Sequence, residues 1–155
     1  MSIESPLIKV HSGLKLQIEL VPDSSWYSNV RSNVKAKQWD TIRKRIYQEA
    51  NSVCEICGGK GFKHAVECHE IWKYDDTKLI QKLDRFQALC PLCHEVKHMG
   101  LANLRGNGER AFGRFININR LDIDTAYEIK KAVFMQWKER SAKQWALDID
   151  LLSCF

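Results

Sequence analysis

Two short stretches decide the fold: Cys54-Glu-Ile-Cys57 and, 33 residues further on, Cys90-Pro-Leu-Cys93-His94-Glu-Val-Lys-His98. Each stretch contains a Cys-x-x-Cys pair, a spacing that lets two thiolates face one ion from a tight turn. Because four thiolates complete a tetrahedral site, we predict a structural Zn²⁺ bound by Cys54, Cys57, Cys90 and Cys93. The proline between the second two cysteines fits the first turn of a helix, which we predict over residues 92–98.

A second set of metal-binding residues remains once the four paired cysteines are assigned. His94 and His98 are four residues apart, so a helix places them on one face, where both can bind one ion. The segment between the two cysteine pairs also contains Cys68 and His69. Cys68, His69, His94 and His98 are therefore left for a second site.

The residues around these motifs predict an α+β protein with a single domain over residues 1–155. In its first part, residues 1–50, strict alternation over residues 14–20 indicates a half-buried strand that ends before Pro22. Helical spacing of Trp39, Ile42, Ile46 and Tyr47 indicates a basic amphipathic helix over residues 36–50.

The central part, residues 51–100, contains both metal motifs. We predict a strand over residues 65–73, a short helix from Asp75 to Leu83, and a short strand over residues 86–89. The last part, residues 101–155, predicts helices over residues 109–118 and 122–143 and a final strand over residues 147–151. We expect this final strand to pair with the first strand of the chain. We interpret Trp39, Trp72, Trp137 and Trp145 as core residues.

Charge and cysteine usage limit the class of protein. Lys and Arg number 24 against 19 Asp and Glu, and this mild basic excess favours a polyanionic partner such as nucleic acid. No run approaches the roughly 18 apolar residues of a membrane-spanning helix, and residues 1–6 show no secretory pattern. We therefore expect a cytoplasmic protein with no membrane partner, in which the paired cysteines bind metal rather than form disulfides.

Three segments together resemble the zinc-stapled HNH endonucleases. They are the first cysteine pair, Glu67-Cys-His-Glu-Ile-Trp72, and Leu89-Cys-Pro-Leu-Cys-His-Glu-Val-Lys-His98. The flanks at residues 26–33 and 140–151 also resemble bacterial and phage HNH proteins. The resemblance implies a ββα-metal core, in which a hairpin and a helix hold a catalytic metal, and it implies cleavage or nicking of DNA, with double-stranded DNA as the expected partner.

The resemblance also implies a role for each site residue. His69 matches the general base that takes a proton from the attacking water, and His94 and His98 match ligands of the catalytic ion. Cys68 stands at a position where the family usually has an Asp or His ligand. If Cys68 binds the ion, its soft thiolate favours Zn²⁺, Ni²⁺ or Mn²⁺ over Mg²⁺. If it does not, Glu67 or Glu70 supplies an oxygen ligand.

Arg85 departs from the family pattern, because it occupies the position of the motif's middle Asn. This departure keeps a second hypothesis open, namely a zinc-stapled nucleic-acid-binding or interaction module whose HNH site has decayed. A third hypothesis makes both metals purely structural in a scaffold protein. Basic residues at Arg43, Lys44, Arg45, Arg85 and Lys97 are candidate phosphate contacts, although such residues more often form a solvated surface. The oligomeric state is left open.

Overall fold

The structure, a computed structural model, describes residues 5–155. The α-helices are α1 (Pro6–Ser12), α2 (Val30–Asn33), α3 (Ala36–Glu49), α4 (Pro91–Lys97), α5 (Met99–Leu104), α6 (Gly108–Asn119) and α7 (Ile123–Ser141). The strands are β1 (Glu67–Asp75), β2 (Ile80–Leu89) and β3 (Ala146–Asp148), and short 3₁₀ helices span Asp23–Ser25 and Asp150–Cys154. The predicted α+β class is confirmed. Four of the six residues that bear on the secretory prediction, residues 1–4, lie outside the described part.

An antiparallel hairpin of β1 and β2 forms the centre of the fold. Its register runs from Glu67 opposite Leu89 to Asp75 opposite Ile80, with one irregularity beyond Ile71. The predicted short helix from Asp75 to Leu83 is wrong. The Asp75 carboxylate accepts backbone N–H bonds from Thr77 and Lys78 at 3.0 and 2.8 Å, closing a turn that returns the chain as β2.

The predicted strand over residues 14–20 is also wrong, although its alternation does match burial. Leu16 and Ile18 are buried, but the segment joins no strand ladder within residues 5–155. Side chains take the place of a neighbouring strand. The Leu16 N–H donates to the Asn119 side chain and the Ile18 N–H donates to His11 Nε2, both at 2.9 Å. The apolar–polar pattern of residues 14–20 therefore predicts correctly which side chains are buried, but it does not predict the hydrogen-bond partners of the backbone.

The final strand pairs differently from the prediction. β3 is only three residues long and lies parallel to the start of β2, with Ala146 opposite Ile80. Beyond β3 the Asp148 carboxylate accepts the Asp150 N–H at 3.1 Å and the chain turns into a 3₁₀ helix. The expected pairing of the two terminal strands is thus wrong, because the N-terminal segment is not a strand.

Two apolar clusters lie against the hairpin. The larger cluster joins α1, residues 16–18, α4, α5, α6 and α7 with the paired cysteines, and the smaller one joins α2 and α3 with β1 and β2. The basic helix predicted over residues 36–50 and the long helix predicted over residues 122–143 are confirmed as α3 and α7. Across residues 5–155 no helix is both long enough and apolar enough to cross a bilayer.

Candidate metal centre

The four predicted zinc ligands come together at the end of the hairpin. Cys54 and Cys57 lie in a turn before β1, Cys90 follows β2 directly, and Cys93 lies in the first turn of α4. Their sulfur atoms all lie within 4.8 Å of one another. Tetrahedral Zn²⁺ with Zn–S bonds of about 2.3 Å requires sulfurs about 3.8 Å apart, and Cys57 and Cys90 are 3.7 Å apart. The four-cysteine cluster could therefore hold Zn²⁺.

Contacts of Glu55 and Gly61 hold the segment of the first cysteine pair against the segment of the second. Glu55 joins the end of β2 twice, because its N–H donates to the Ala88 carbonyl at 2.9 Å and its carboxylate accepts the Ala88 N–H at 2.5 Å. Gly61 lies so close to α4 that a Cβ there would be 2.6 Å from Pro91 Cδ. The two halves of the site are thus fixed by the protein as well as by any ion.

A cation from outside the motif supports these sulfurs. Arg114 on α6 donates from Nη2 to Cys93 Sγ at 3.4 Å and lies 3.9 Å from Cys90 Sγ. Burial opposes the charged form of Arg114, but its bond to Cys93 keeps its pKa above the ordinary value. A site with four thiolates carries excess negative charge when it binds a divalent ion, and this guanidinium offsets part of it.

His69, His94 and His98 form a second cluster, with ligand atoms within 4.8 Å of one another. Their ring centroids are 4.8–5.1 Å apart. His69 comes from β1, whereas α4 supplies His94 and ends at His98. Because α4 starts at the second cysteine pair, the same turn that completes the four-cysteine cluster brings His94 and His98 towards the hairpin.

His69 is held by a carboxylate from the N-terminal segment. Its side chain is 2% exposed, and Nε2–H donates to Glu19 Oε2 at 2.5 Å. The buried Lys97 donates to the other Glu19 oxygen at 2.9 Å, and the Glu19 N–H donates to the Lys97 carbonyl at 3.0 Å. His69 Nδ1 is buried and has no hydrogen-bond partner within residues 5–155. That free nitrogen belongs to the histidine cluster.

His94 is oriented in the same manner by Glu67. Its Nδ1–H donates to Glu67 Oε2, while Glu67 Oε1 bonds to His64 Nε2 at 2.7 Å. Metal-bound histidines commonly donate their second N–H to a carboxylate, which fixes the tautomer and the ring orientation. Two of the three histidines have this arrangement, which fits a metal site with three imidazole ligands.

The protonation states agree with ligand chemistry. Burial lowers the pKa of His98 to about 3 and lowers the pKa of His69 as well, so both imidazoles are neutral near pH 7. Burial would raise the pKa of Glu19, but its bonds from His69 and Lys97 outweigh this and lower it to about 2. The bond from His94 lowers the pKa of Glu67 to about 2. A neutral His69 therefore faces an ionised Glu19.

Cys68 does not join the histidines, which corrects the prediction that it binds the catalytic ion. Adjacent residues of a strand point to opposite faces, and Cys68 packs with the apolar cluster on the α3 side. Burial raises the pKa of its thiol to about 12. Glu70 is not in the cluster either and accepts the Val30 N–H at 3.1 Å. Cys68 is therefore a packing residue.

The predicted phosphate contacts fall at different places. Lys97 is 3% exposed and bound to Glu19, so its prediction as a surface contact is wrong. Arg43 and Arg45 pair with acidic neighbours on α3, at 2.7 and 2.8 Å. α3 covers the side of the hairpin that holds Cys68. Arg85 is exposed opposite Ile71, and Lys44 is exposed on α3. Of these residues, only Arg85 and Lys44 are exposed and outside the ion pairs of residues 5–155.

A cavity of about 890 Å³ opens beside the histidine cluster, and all three histidines line it. The segment Trp26–Arg31 supplies part of its wall, together with side chains from β1 and α7. Sequence reasoning missed the roles of Glu19, Glu67, Arg114 and this segment. Glu19 and Arg114 are separated from the motifs along the chain, so local spacing carries no signal for them.

Comparison with known proteins does not assign the site. No protein-family model matches the chain, and neither the curated proteins nor the solved structures include a match to it. The function of the chain therefore has to be inferred from the geometry of its two clusters.

Proposed function

We propose that the chain is a metal-dependent HNH-type endonuclease that hydrolyses phosphodiester bonds of DNA inside the cell. In this proposal β1, β2 and α4 form a ββα-metal core, and the four-cysteine cluster holds a structural Zn²⁺. The observation that carries the proposal is the buried Nδ1 of His69, which has no hydrogen-bond partner among residues 5–155 and belongs to a ring packed against those of His94 and His98 beside an open cavity. A buried nitrogen without a partner costs stability unless it binds something.

The three histidines suit a divalent ion. Three imidazoles leave a fourth position open, which is typical of catalytic rather than structural Zn²⁺ sites. A bound ion would stabilise negative charge on the phosphate as the P–O bond breaks. The cavity is a place where a phosphate can reach this position.

The geometry favours His69 as the third ligand over its role as general base. Glu19 fixes the Nε2–H tautomer, so Nδ1 is the nitrogen that His69 has left to bind an ion together with the other histidines. A base would have to reach water, and a ring that is only 2% exposed could do so only through a water inside the cluster. In this proposal the two carboxylates orient the ligands: Glu19 holds the ring of His69, and Glu67 holds the ring of His94.

One observation favours a second function, a nucleic-acid-binding module with a decayed site. Arg85 occupies the position of the motif Asn and is exposed on β2. A cation there can contact phosphate but cannot orient a base as an amide does. The intact histidine cluster with its two carboxylates favours the nuclease, since a binding module has no use for it.

A plasmid assay separates the two functions. Zinc-loaded protein is incubated with supercoiled DNA and Mg²⁺, Mn²⁺, Ni²⁺ or Zn²⁺, beside His94→Ala and a Glu128→Gln control. Glu128 is exposed on α7 and neither lines the cavity nor belongs to the histidine cluster. The nuclease proposal predicts nicking or linearisation that His94→Ala abolishes and Glu128→Gln preserves.

The opposite results are equally informative. If no ion supports cleavage, or if His94→Ala cleaves as fast as the wild type, the nuclease proposal is wrong. Binding of DNA without cleavage would support the second function. Metal analysis of His69→Ala gives the role of His69: a ligand loses the second ion with the substitution, and a base keeps it.

A further inference from the structure

We propose that the cavity beside the histidines accepts an unstacked nucleobase, so that the preferred substrate is single-stranded or unpaired at the cleavage point. This inference rests on the proposed nuclease function and specifies its substrate. It would place an aromatic contact within one nucleotide of the phosphate that the histidine cluster receives.

Trp26 and Trp137 line the cavity that contains the three histidines. Trp39 and Trp72 also border it, but they pack in the smaller apolar cluster on the Cys68 side of the hairpin. Three of these four were predicted to be core residues. The volume of about 890 Å³ lies in the range of roughly 300–1,000 Å³ that is typical of sites for small organic groups. A cavity with these walls suits a flat aromatic group such as a nucleobase.

Trp26 occupies the decisive position in this wall. Its ring centroid lies 6.4 Å from that of His98, with the rings edge to face, and its side chain is 38% exposed. A second cavity of about 420 Å³, with a largely apolar wall, is also lined by Trp26 and His98 and includes Phe134 and Leu101. The indole therefore has open space around it directly beside a candidate metal ligand.

Tyr27 and Arg31 extend the same surface. Tyr27 is 85% exposed, Arg31 is exposed, and both line the cavity of the three histidines. Just before this segment, the Ser24 hydroxyl donates to the carbonyl of Lys143, two residues beyond α7, at 2.5 Å. Exposed aromatic rings with a nearby cation are the combination that single-strand-binding proteins use for bases and phosphates.

The base must be unstacked to make this contact. In an intact duplex the faces of each base are covered by its neighbours, and proteins that contact a base face act on single strands or displace the nucleotide. Because every base has such a face, stacking on Trp26 would favour an unpaired strand with little sequence preference.

Binding measurements test the inference directly. A fluorescein-labelled single-stranded oligodeoxynucleotide and a fully paired duplex of the same sequence are titrated with protein that carries one Zn²⁺ per chain. The empty second site prevents cleavage. We expect tighter binding to the single strand. Trp26→Ala and Tyr27→Ala should each weaken that binding about 5- to 150-fold, the range expected for loss of one base stack.

Phe62→Ala is the matched control, because Phe62 is fully exposed and lines neither cavity. It should leave single-strand binding unchanged. Tyr27 is so exposed that its substitution preserves the fold, which keeps the test valid even if Trp26→Ala is poorly folded.

Three results would overturn the inference: equal affinity for the two oligonucleotides, unchanged single-strand binding by both variants, or an equal loss in Phe62→Ala. Metal-dependent plasmid cleavage together with any of these results would leave the nuclease proposal intact. Conversely, single-strand binding that depends on Trp26, without cleavage by any ion, would support the stacking site and refute the nuclease.

Discussion

Replacing Glu19 by Gln tests the network around His69 most directly. The substitution preserves side-chain shape but removes the charge that accepts bonds from His69 Nε2 at 2.5 Å and Lys97 Nζ at 2.9 Å. The Gln amide can accept only one of these bonds through its oxygen. Its NH₂ group then faces the other donor. In either orientation Lys97 loses its charge partner, and His69 must change tautomer if the NH₂ group faces it.

The structure allows the cost to be assessed. A hydrogen bond to a charged group contributes about 1.5–3 kcal/mol, and breaking a buried ion pair by removing one partner costs about 3–5 kcal/mol. The Glu19 side chain retains some solvent contact, which reduces both terms. We therefore expect the free energy of unfolding to fall by about 3 kcal/mol, and the affinity for the second ion to fall roughly 10- to 100-fold.

Urea unfolding of the zinc-loaded protein measures the first quantity, and titration with Co²⁺ or Zn²⁺ measures the second without any assay of activity. Glu128→Gln is the matched control, since the Glu128 side chain is exposed on α7 and forms a 3.7 Å ion pair with the exposed Lys131. Adding Lys97→Met to Glu19→Gln should recover part of the stability, because the unpaired cation is removed. Unfolding within about 0.5 kcal/mol of the wild type, with unchanged metal affinity, would refute this account of Glu19.

Three further predictions concern other parts of the molecule. Cys54→Ser should remove the structural ion and unfold the central module, as measured by zinc content and circular dichroism. His69→Ala should keep the structural ion and the folded module. Gly61→Ala should destabilise the protein by about 1–3 kcal/mol, because its Cβ would be 2.2 Å from the His64 carbonyl oxygen, while Gly113→Ala, with open space around it, should not. Burial lowers the pKa of His11 from 6.5 to about 4, so the unfolded chain binds more protons between these values. His11 alone should therefore lower the free energy of unfolding by up to about 3 kcal/mol from pH 7 to pH 4. His11→Gln should show a correspondingly shallower pH dependence, because the contributions of His69 and His98 remain; equal slopes in both proteins would contradict the assignment.

The candidate ligands that the structure brings together belong mostly to short, local sequence patterns. The Cys-x-x-Cys spacing and the i, i+4 histidines fix relative positions within one turn, and the structure brings both sets together. The prediction that Cys68 is a ligand was wrong for an equally local reason. Neighbouring side chains of a strand point to opposite faces, so Cys68 lies on the face away from His69 and the ion. The prediction placed two adjacent strand residues, Cys68 and His69, in one site, although side chains alternate between the two faces of a strand.

The parts that sequence could not predict depend on contacts between distant segments. Glu19 reaches His69 across 50 residues, and Arg114 reaches Cys93 across 21. Residues 14–20 alternate as a strand does, yet Asn119 and His11 side chains satisfy their backbone. Alternation records which side is buried, and many backbone partners are compatible with it.

The two clusters are coupled in one direction. α4 begins at Cys90, so the four-cysteine cluster sets the position of the helix that carries His94. His69 depends on this arrangement through Lys97, which links α4 to Glu19 and hence to the hairpin. Loss of the ion in the four-cysteine cluster should therefore separate the three histidines from one another. Loss of one histidine should leave the cysteines, Glu55 and Arg114 in place. In this protein the structural ion would act on catalysis by fixing one helix against one hairpin, and the N-terminal segment would complete the site by supplying the carboxylate that aligns His69.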